Sequence, residues 1–402
     1  MRRNIIMNWD VSSYFGWGVY GLNLALAWAN DPEVALIASQ PIRTENLALD
    51  PVRMRALAPF LVGSAKFQRQ MEAFKGGEAT AQTPLLAAVD SAFRPFRTPE
   101  QAALSGTPTI GVTFFETAQL TPQAVANAKT LPLILTGSRW NEQVLRAYGV
   151  NNVRTIVQGV DPTLFHPAPR VSYAGDRFLV FSGGKLERRK GQDIVVAAFR
   201  KFVERRPDAV LVAAWHSPWP AVAKSLDDTG LAAPVVFNPE GGLEAATWAA
   251  ANGIRPENFL DAGLTPHPLI PPLLGQMDVA LFPNRCEGGT NLMAMECMAC
   301  GVPVILSANT GHLDLIEEDN CFALTSQGEL TDPVAQPYGD TPGWGESDVD
   351  EAVELLERAY LDREAARRRG ERGAATLSGL TWAATAEAVK RATLELCGAE
   401  SA

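Results

Sequence analysis

N-R-C-E-G-G-T-N-L-M-A-M-E-C-M-A-C-G-V-P-V-I-L, residues 284–306, is the stretch on which the reading of this chain turns. The run 278–282, apolar after its first residue, leads into it. A polar loop then carries a carboxylate and two adjacent glycines, Glu287, Gly288 and Gly289. A helical segment follows with a second carboxylate, Glu296, before Gly301 and Pro303 end it and another apolar run begins. The order is strand, glycine loop, helix, glycine cap, strand. Such a loop aims free backbone N–H groups at an anion beside a helix N-terminus. Two acids next to an anion site suit recognition of hydroxyls close to a phosphate, the pairing that a nucleotide sugar presents.

The same alternation extends in both directions. Strands are expected over 4–7, 34–38, 109–114, 131–136 and 153–157, then over 178–181, 209–214, 279–282, 302–306 and 322–324. Helical stretches such as 19–29, 141–148, 192–204 and 292–299 lie between them. Apolar strands alternating with helices predict an α/β fold with parallel sheets. At 402 residues the chain has room for two such units. Residues 165–176, with H-P-A-P-R, read as the linker, and 333–347 as a second Pro/Gly-rich loop. Two long charged helices, 349–369 and 382–396, are expected to close the chain. The architecture this implies is two Rossmann-like domains, 1–168 and 169–380, facing each other across a cleft. A last helix within 381–402 turns back toward the first. Ligands in such folds bind at the carboxyl ends of the strands.

A second segment, F-L-V-F-S-G-G-K-L-E-R-R-K-G over 178–191, runs an apolar strand into Gly183 and Gly184. Lys185, Arg188, Arg189 and Lys190 follow, four cations in six positions of an acidic chain. That density suits a diphosphate; a solvated basic turn is the plainer alternative. Residues 16–21 read G-W-G-V-Y-G, a literal G-x-G-x-x-G. The first strand ends near Met7 and eight residues intervene before Gly16, so the spacing of a dinucleotide fold is not kept. The expectation is a loop in which Gly16 and Gly18 let a bound ligand approach a helix. Asp348 and Asp350 form a D-x-D, but after Ser347 at a helix start, where capping is the reading.

The net charge of −10 disfavours nucleic acid as the main partner. Four of the five cysteines lie within 36 residues, and Cys297 and Cys300 form a C-x-x-C inside a helical pattern. Buried helix thiols are expected rather than a metal site. The four histidines are scattered, with His312 placed to face the cleft and the others in surface or structural roles. No apolar run has the length of a membrane span, and the start is too short in apolar residues for a signal-peptide core. A cytoplasmic protein is expected.

At this point the motifs resemble a known family. E-G-G-T-N-L-M-A-M-E-C-M-A-C-G-V-P-V-I is similar to the donor-site segment of the retaining glycosyltransferases of group 1, family 4, which have the GT-B fold. S-G-G-K-L-E-R-R-K-G resembles its basic phosphate loop, with Lys185 in the place of the usual arginine and Lys190 in that of the lysine. G-W-G-V-Y-G resembles its N-terminal glycine loop, and the matches run from about residue 14 to 385 in the family's order. The resemblance implies an acceptor-side first domain and a nucleotide-sugar second domain. Glu287 would hold hydroxyls of the donor sugar and Glu296 the ribose. The diphosphate would lie on Gly288, Gly289, Thr290, Asn291 and Leu292 and on Lys185 and Lys190, with no metal and no cofactor. Two departures stand out. Eight residues separate Glu287 from Glu296 where the family has seven, and F-F-E-T offers Glu116 where many members carry a histidine.

The resemblance thus implies transfer of a hexose from a UDP- or GDP-linked sugar, with Glu287, Lys190 and Glu116 as the catalytic group. A sugar-nucleotide epimerase of the same architecture and a non-catalytic nucleotide-sugar-binding member are the alternatives. The acceptor, whether glycan, lipid-linked, protein or small molecule, would meet first-domain loops over 43–100, where aromatic and basic residues also suit a peripheral contact at the inner membrane face.

Overall fold

The computed structural model describes residues 2–98, 101–170, 173–330 and 341–399. Residues 333–340 of the second Pro/Gly-rich loop, 171–172 of the linker and 99–100 of the expected acceptor region lie outside the described residues. The chain forms two compact units. One comprises Met1–Phe115, Gln119–Gly159 and Leu380–Ala402; the other comprises Glu116–Ala118 and Val160–Gly379.

Twelve strands build the two main sheets. The first unit holds β1 (Arg3–Met7), β2 (Val34–Ala38), β3 (Leu85–Ala88), β4 (Thr109–Thr113), β5 (Leu133–Thr136) and β6 (Val153–Thr155). The second holds β7 (Phe178–Gly183), β8 (Ala209–Ala214), β9 (Phe259–Asp261), β10 (Val279–Phe282), β11 (Val304–Ser307) and β12 (Phe322–Leu324). The helices are α1 (Gly16–Ala27), α2 (Pro51–Met71), α3 (Pro122–Thr130), α4 (Arg139–Ala147), α5 (Gln192–Arg205) and α6 (Ala245–Ala251). They continue with α7 (Ile270–Leu274), α8 (Leu292–Ala299), α9 (Val349–Leu361), α10 (Arg363–Leu377) and α11 (Trp382–Ala399).

In the first unit the strand order is β2-β1-β3-β4-β5-β6, all parallel. Strand β3, L-L-A-A, is absent from the expected list although it lies beside β1. Its four residues are all buried, so it shows no alternation of apolar and polar positions, the signal that marks half-exposed strands. Helix α11 packs on α1, where Trp382 stacks on Tyr20 at 5.6 Å. Lys390 of α11 reaches Asp31 at 2.9 Å.

The second unit repeats the plan with the order β9-β8-β7-β10-β11-β12, again all parallel. Its core joins Phe178, Phe199, Phe202, Trp215 and Trp248 to the buried strands. Each such side chain contributes roughly 1.5–3 kcal/mol by leaving water. The single helix expected over 349–369 is in fact two. At Asp362 the backbone leaves the helical region (φ −128°, ψ 73°), and the side chain accepts a hydrogen bond from the Ala365 N–H at 2.8 Å, capping α10.

Candidate functional site

In a doubly wound sheet a crevice opens where successive connections leave in opposite directions. In the second unit that point lies between β7 and β10, paired at Val180 and Val279. From β7 the chain moves out to β8 and β9, and then returns to the other side of β7 as β10. The loops at the carboxyl ends of these two strands are the two segments singled out above: the basic loop after Gly183 and the glycine loop after Phe282. They close tightly on each other. Gly191 has φ +71°, and a Cβ there would lie 2.3 Å from the Pro283 carbonyl oxygen, so only glycine fits.

The basic loop is folded inward. Its cations are not a solvated turn, for Arg188 and Arg189 are buried. The Gln192 side chain at the start of α5 donates to the carbonyls of Gly184 and Lys185, at 3.2 and 3.0 Å, and so fixes the loop's path. Arg189 lies among three carboxylates: Glu187 at 2.7 Å, Glu116 at 2.9 Å and Glu287 at 3.1 Å. Lys185 pairs with Glu187 at 2.9 Å, and Lys190 with Glu287 at 2.5 Å.

On the facing loop, fully buried Arg285 makes a two-pronged pair with Asp193, both bonds 2.8 Å, and a third to Glu346 at 3.0 Å. This clamp ties the glycine loop to the first turn of α5. Next to it Glu287 accepts from Lys190 and Asn284 on one oxygen and pairs with Arg189 on the other. Burial alone would raise its pKa; Lys190, Arg189 and His312 outweigh that and hold it at about 2. Burial, reinforced by Arg189 and opposed by Glu287, lowers that of Lys190. Glu116 is shifted upward by burial, against Arg189 and with the help of Glu187 and Glu287.

Gly288, Gly289, Thr290 and Asn291 carry the chain into α8, which starts at Leu292. Asn291 adopts a left-handed backbone (φ 63°) where the loop is one residue longer than the family spacing. The turn is pressed against the segment after β11: a Cβ on Gly311 would fall 1.6 Å from the Gly289 carbonyl oxygen. The Thr290 hydroxyl is buried against the Met295 sulfur at 3.0 Å, which leaves the backbone as the part of Thr290 that can meet a ligand. His312 is fully buried between Asn291, at 3.1 Å from Nε2, and Ser307, at 2.9 Å from Nδ1. The Asn291 amide donates to Nε2 and the Ser307 hydroxyl donates onward to the Asn284 carbonyl, so the ring is neutral with its proton on Nδ1. Burial lowers its pKa to about 4. It shapes the loop from within.

Glu296 is buried on α8 and is met by a residue that the sequence left in a structural role. His267 places Nε2 2.6 Å from its Oε1. The ring also packs on buried Phe165, centroids 4.8 Å apart, inside the segment expected to be a linker.

The expected glycine loop over 16–21 is corrected. Gly16 begins α1, and Gly18 and Gly21 lie within its first two turns. A Cβ on Gly18 would stand 2.5 Å from that of Ser12, so this glycine lets the helix pack on its own incoming chain. The Cβ position of Gly16 is open. Both glycines belong to the first unit, whereas every other predicted site residue belongs to the second. Asp348 caps α9 by accepting from Glu351, and Asp350 pairs with Lys201 at 2.7 Å. Cys297 is buried in α8, and Cys297 and Cys300 are free thiols. No three His, Cys, Asp or Glu side chains among the described residues are grouped to hold a metal ion. Arg189, Glu187, Asn284 and His267 were missed as site residues. Arg189 alone carried a signal, its place in the cation run.

A family described as family 4 glycosyltransferases in conflict systems matches residues 269–389. The GDP-mannose-dependent alpha-(1-6)-phosphatidylinositol monomannoside mannosyltransferase of Mycolicibacterium smegmatis is 27% identical over 196 residues, 45% of each chain. The D-inositol 3-phosphate glycosyltransferase of Kineococcus radiotolerans is 25% identical over 260 residues, 61% of this chain and 53% of that one. The chain thus spans about half the length of the curated relatives it matches. Among solved structures, sucrose-phosphate synthase from Thermosynechococcus elongatus aligns with a TM-score of 0.65 at 18% identity, covering 99% of this chain and 100% of that one. Anabaena HepE in complex with UDP-glucose aligns at 0.61 and 15%, covering 98% and 99%. At such identities these structures speak for the fold. Together with the two loops at the β7–β10 crevice, these matches make the chain similar to the family 4 glycosyltransferases over its second unit, and the solved structures give it the GT-B fold.

Proposed function

We propose that this protein transfers a hexose from a UDP- or GDP-linked sugar to an acceptor hydroxyl, with retention of configuration and without a metal ion. The observation that carries the reading is the meeting of Arg189 and Lys190 with Glu287, and of Lys185 with neighbouring Glu187, in the crevice between β7 and β10. Negative charge grows on the nucleoside diphosphate as the sugar leaves it, and cations fixed in advance lower that barrier. Lys185, Arg189 and Lys190 take this role in place of a divalent ion, helped by backbone N–H groups from Gly288 to Leu292. Glu287, kept ionised by its neighbours, accepts hydrogen bonds from the sugar hydroxyls as an oxocarbenium-like centre forms. Glu296 holds the ribose. Glu116, paired with Arg189 at 2.9 Å, offers its carboxyl group to an acceptor hydroxyl.

A mannosyltransferase named for GDP-mannose and a solved relative holding UDP-glucose support the donor class. Acceptors in the relatives' names, phosphatidylinositol mannoside and inositol 3-phosphate, make a polyol or glycan hydroxyl the first class to test. Because nucleotide sugars are the co-substrate, the proposal places the protein in the cytoplasm, with lipid-linked acceptors reached at the inner membrane face.

The test is a melting-shift screen of UDP- and GDP-sugars followed by transfer assays on Lys190→Ala and Glu287→Ala. Each substitution is expected to lower transfer by about a hundredfold or more, and Lys190→Ala to abolish the donor-induced shift. Unchanged transfer and an unchanged shift in both variants would sink the reading. Retention is read from the anomeric configuration of the product by NMR.

A further inference from the structure

We infer that His267 is a positioning residue that aims the Glu296 carboxylate at the ribose of the donor, and thereby sets the preference for ribonucleotides over 2′-deoxyribonucleotides. The inference rests on the donor reading proposed above.

The two acids of the site are held in opposite ways. On Glu287 both oxygens are engaged, by Lys190 and Asn284 on one side and Arg189 on the other. On Glu296 a single side-chain partner is found among the described residues: His267, at 2.6 Å on Oε1. Both side chains are nearly buried, 12% and 6% exposed, so water competes weakly for the bond. A carboxylate has about four acceptor positions. One oxygen bound by an imidazole N–H leaves the other, Oε2, with its lone pairs in a set direction. That arrangement can accept hydrogen bonds from the neighbouring hydroxyls of a ribose. Without the ring, the carboxylate would turn about its last torsion, a soft and roughly two-fold one.

The histidine itself has little freedom. It begins a 3₁₀ turn, His267–Leu269, between Pro266 and Pro268, whose rings restrict the backbone on both sides. The face of Phe165 limits the ring from another direction.

The experiment measures dissociation constants by calorimetry for whichever of UDP and GDP binds, and for its 2′-deoxy counterpart. It compares the full-length protein with His267→Ala, His267→Gln and Glu296→Gln. The intact protein is expected to prefer the ribonucleotide by about tenfold or more, because a hydroxyl bound to a buried charged partner is missed strongly. His267→Ala is expected to bring the ratio near one by weakening the ribonucleotide and sparing the deoxynucleotide. His267→Gln, whose amide can donate in place of the ring, should recover part of the ratio. Glu296→Gln should lose it as His267→Ala does. Should His267→Ala not fold, the Gln variant decides: a ratio reduced below that of the intact protein supports the inference, and an undiminished ratio overturns it. A wild-type ratio kept by folded His267→Ala, or equal weakening of both nucleotides, also overturns it. Binding of neither UDP nor GDP to the intact protein is a different failure, that of the donor reading.

Discussion

Glu287 is kept ionised by its neighbours although it is buried. Its pKa of about 2 lies below the ordinary 4.5, so in the folded state it holds its proton less tightly than when unfolded. The stability this contributes is full above about pH 4.5 and is lost as pH falls toward 2. Glu116, shifted upward, runs the other way and loses stability as pH rises above its ordinary range. Glu287→Gln should therefore flatten the fall of the urea midpoint between pH 4.5 and 2 by up to one proton's worth of slope. An unchanged slope would show that the carboxylate is not held as described. At this scale the sequence spoke for residue types and not for partners. Lys190 and Glu287 could be named because each stands in a patterned loop. Their pairing, across 97 positions of chain, could not be read. Neither could the meeting of His267 with Glu296, because a histidine between prolines has no local pattern that points to an acid 29 residues on.

The elements of the site depend on close approach of backbones. At Gly191 a side chain would meet the Pro283 carbonyl as well as a left-handed backbone, whereas at Gly263 the backbone is equally left-handed and the Cβ position is open. Gly263→Ala is expected to cost about 1 kcal/mol of backbone strain. Gly191→Ala should cost at least twice that, because the two loops must also move apart. Urea denaturation of both variants separates the terms; equal losses would mean that the loops accommodate a methyl group. Other elements show where local pattern misleads. The break at Asp362 is hidden because the apolar periodicity of α9 continues in phase through α10, while Asp362 caps its own new helix. Strand β3 is hidden for the opposite reason: full burial removes the alternation that would mark it.

For the whole molecule the notable fact is that the last helix belongs with the first residues. Helix α11 is counted in the unit of β1 to β6, and Trp382, 5% exposed, seats it on Tyr20. Trp382→Ala removes a large buried ring, a change worth about 3–5 kcal/mol. Amides of β1 and β2 should then exchange with deuterium faster, while those of β7 and β8 keep their rates; acceleration in β7 and β8 instead would contradict the division. The sequence by itself determined the alternation of strands and helices, hence two parallel α/β units, and the identity of the two loops rich in glycine and charge. Those follow from local rules of periodicity, backbone freedom and capping. The tertiary structure alone decided that the two loops share one crevice, that Arg189 gathers three carboxylates, and that His267 meets Glu296. Those choices depend on strand order and on burial, which bring together residues far apart in the chain and make an unpaired charge too costly to leave alone.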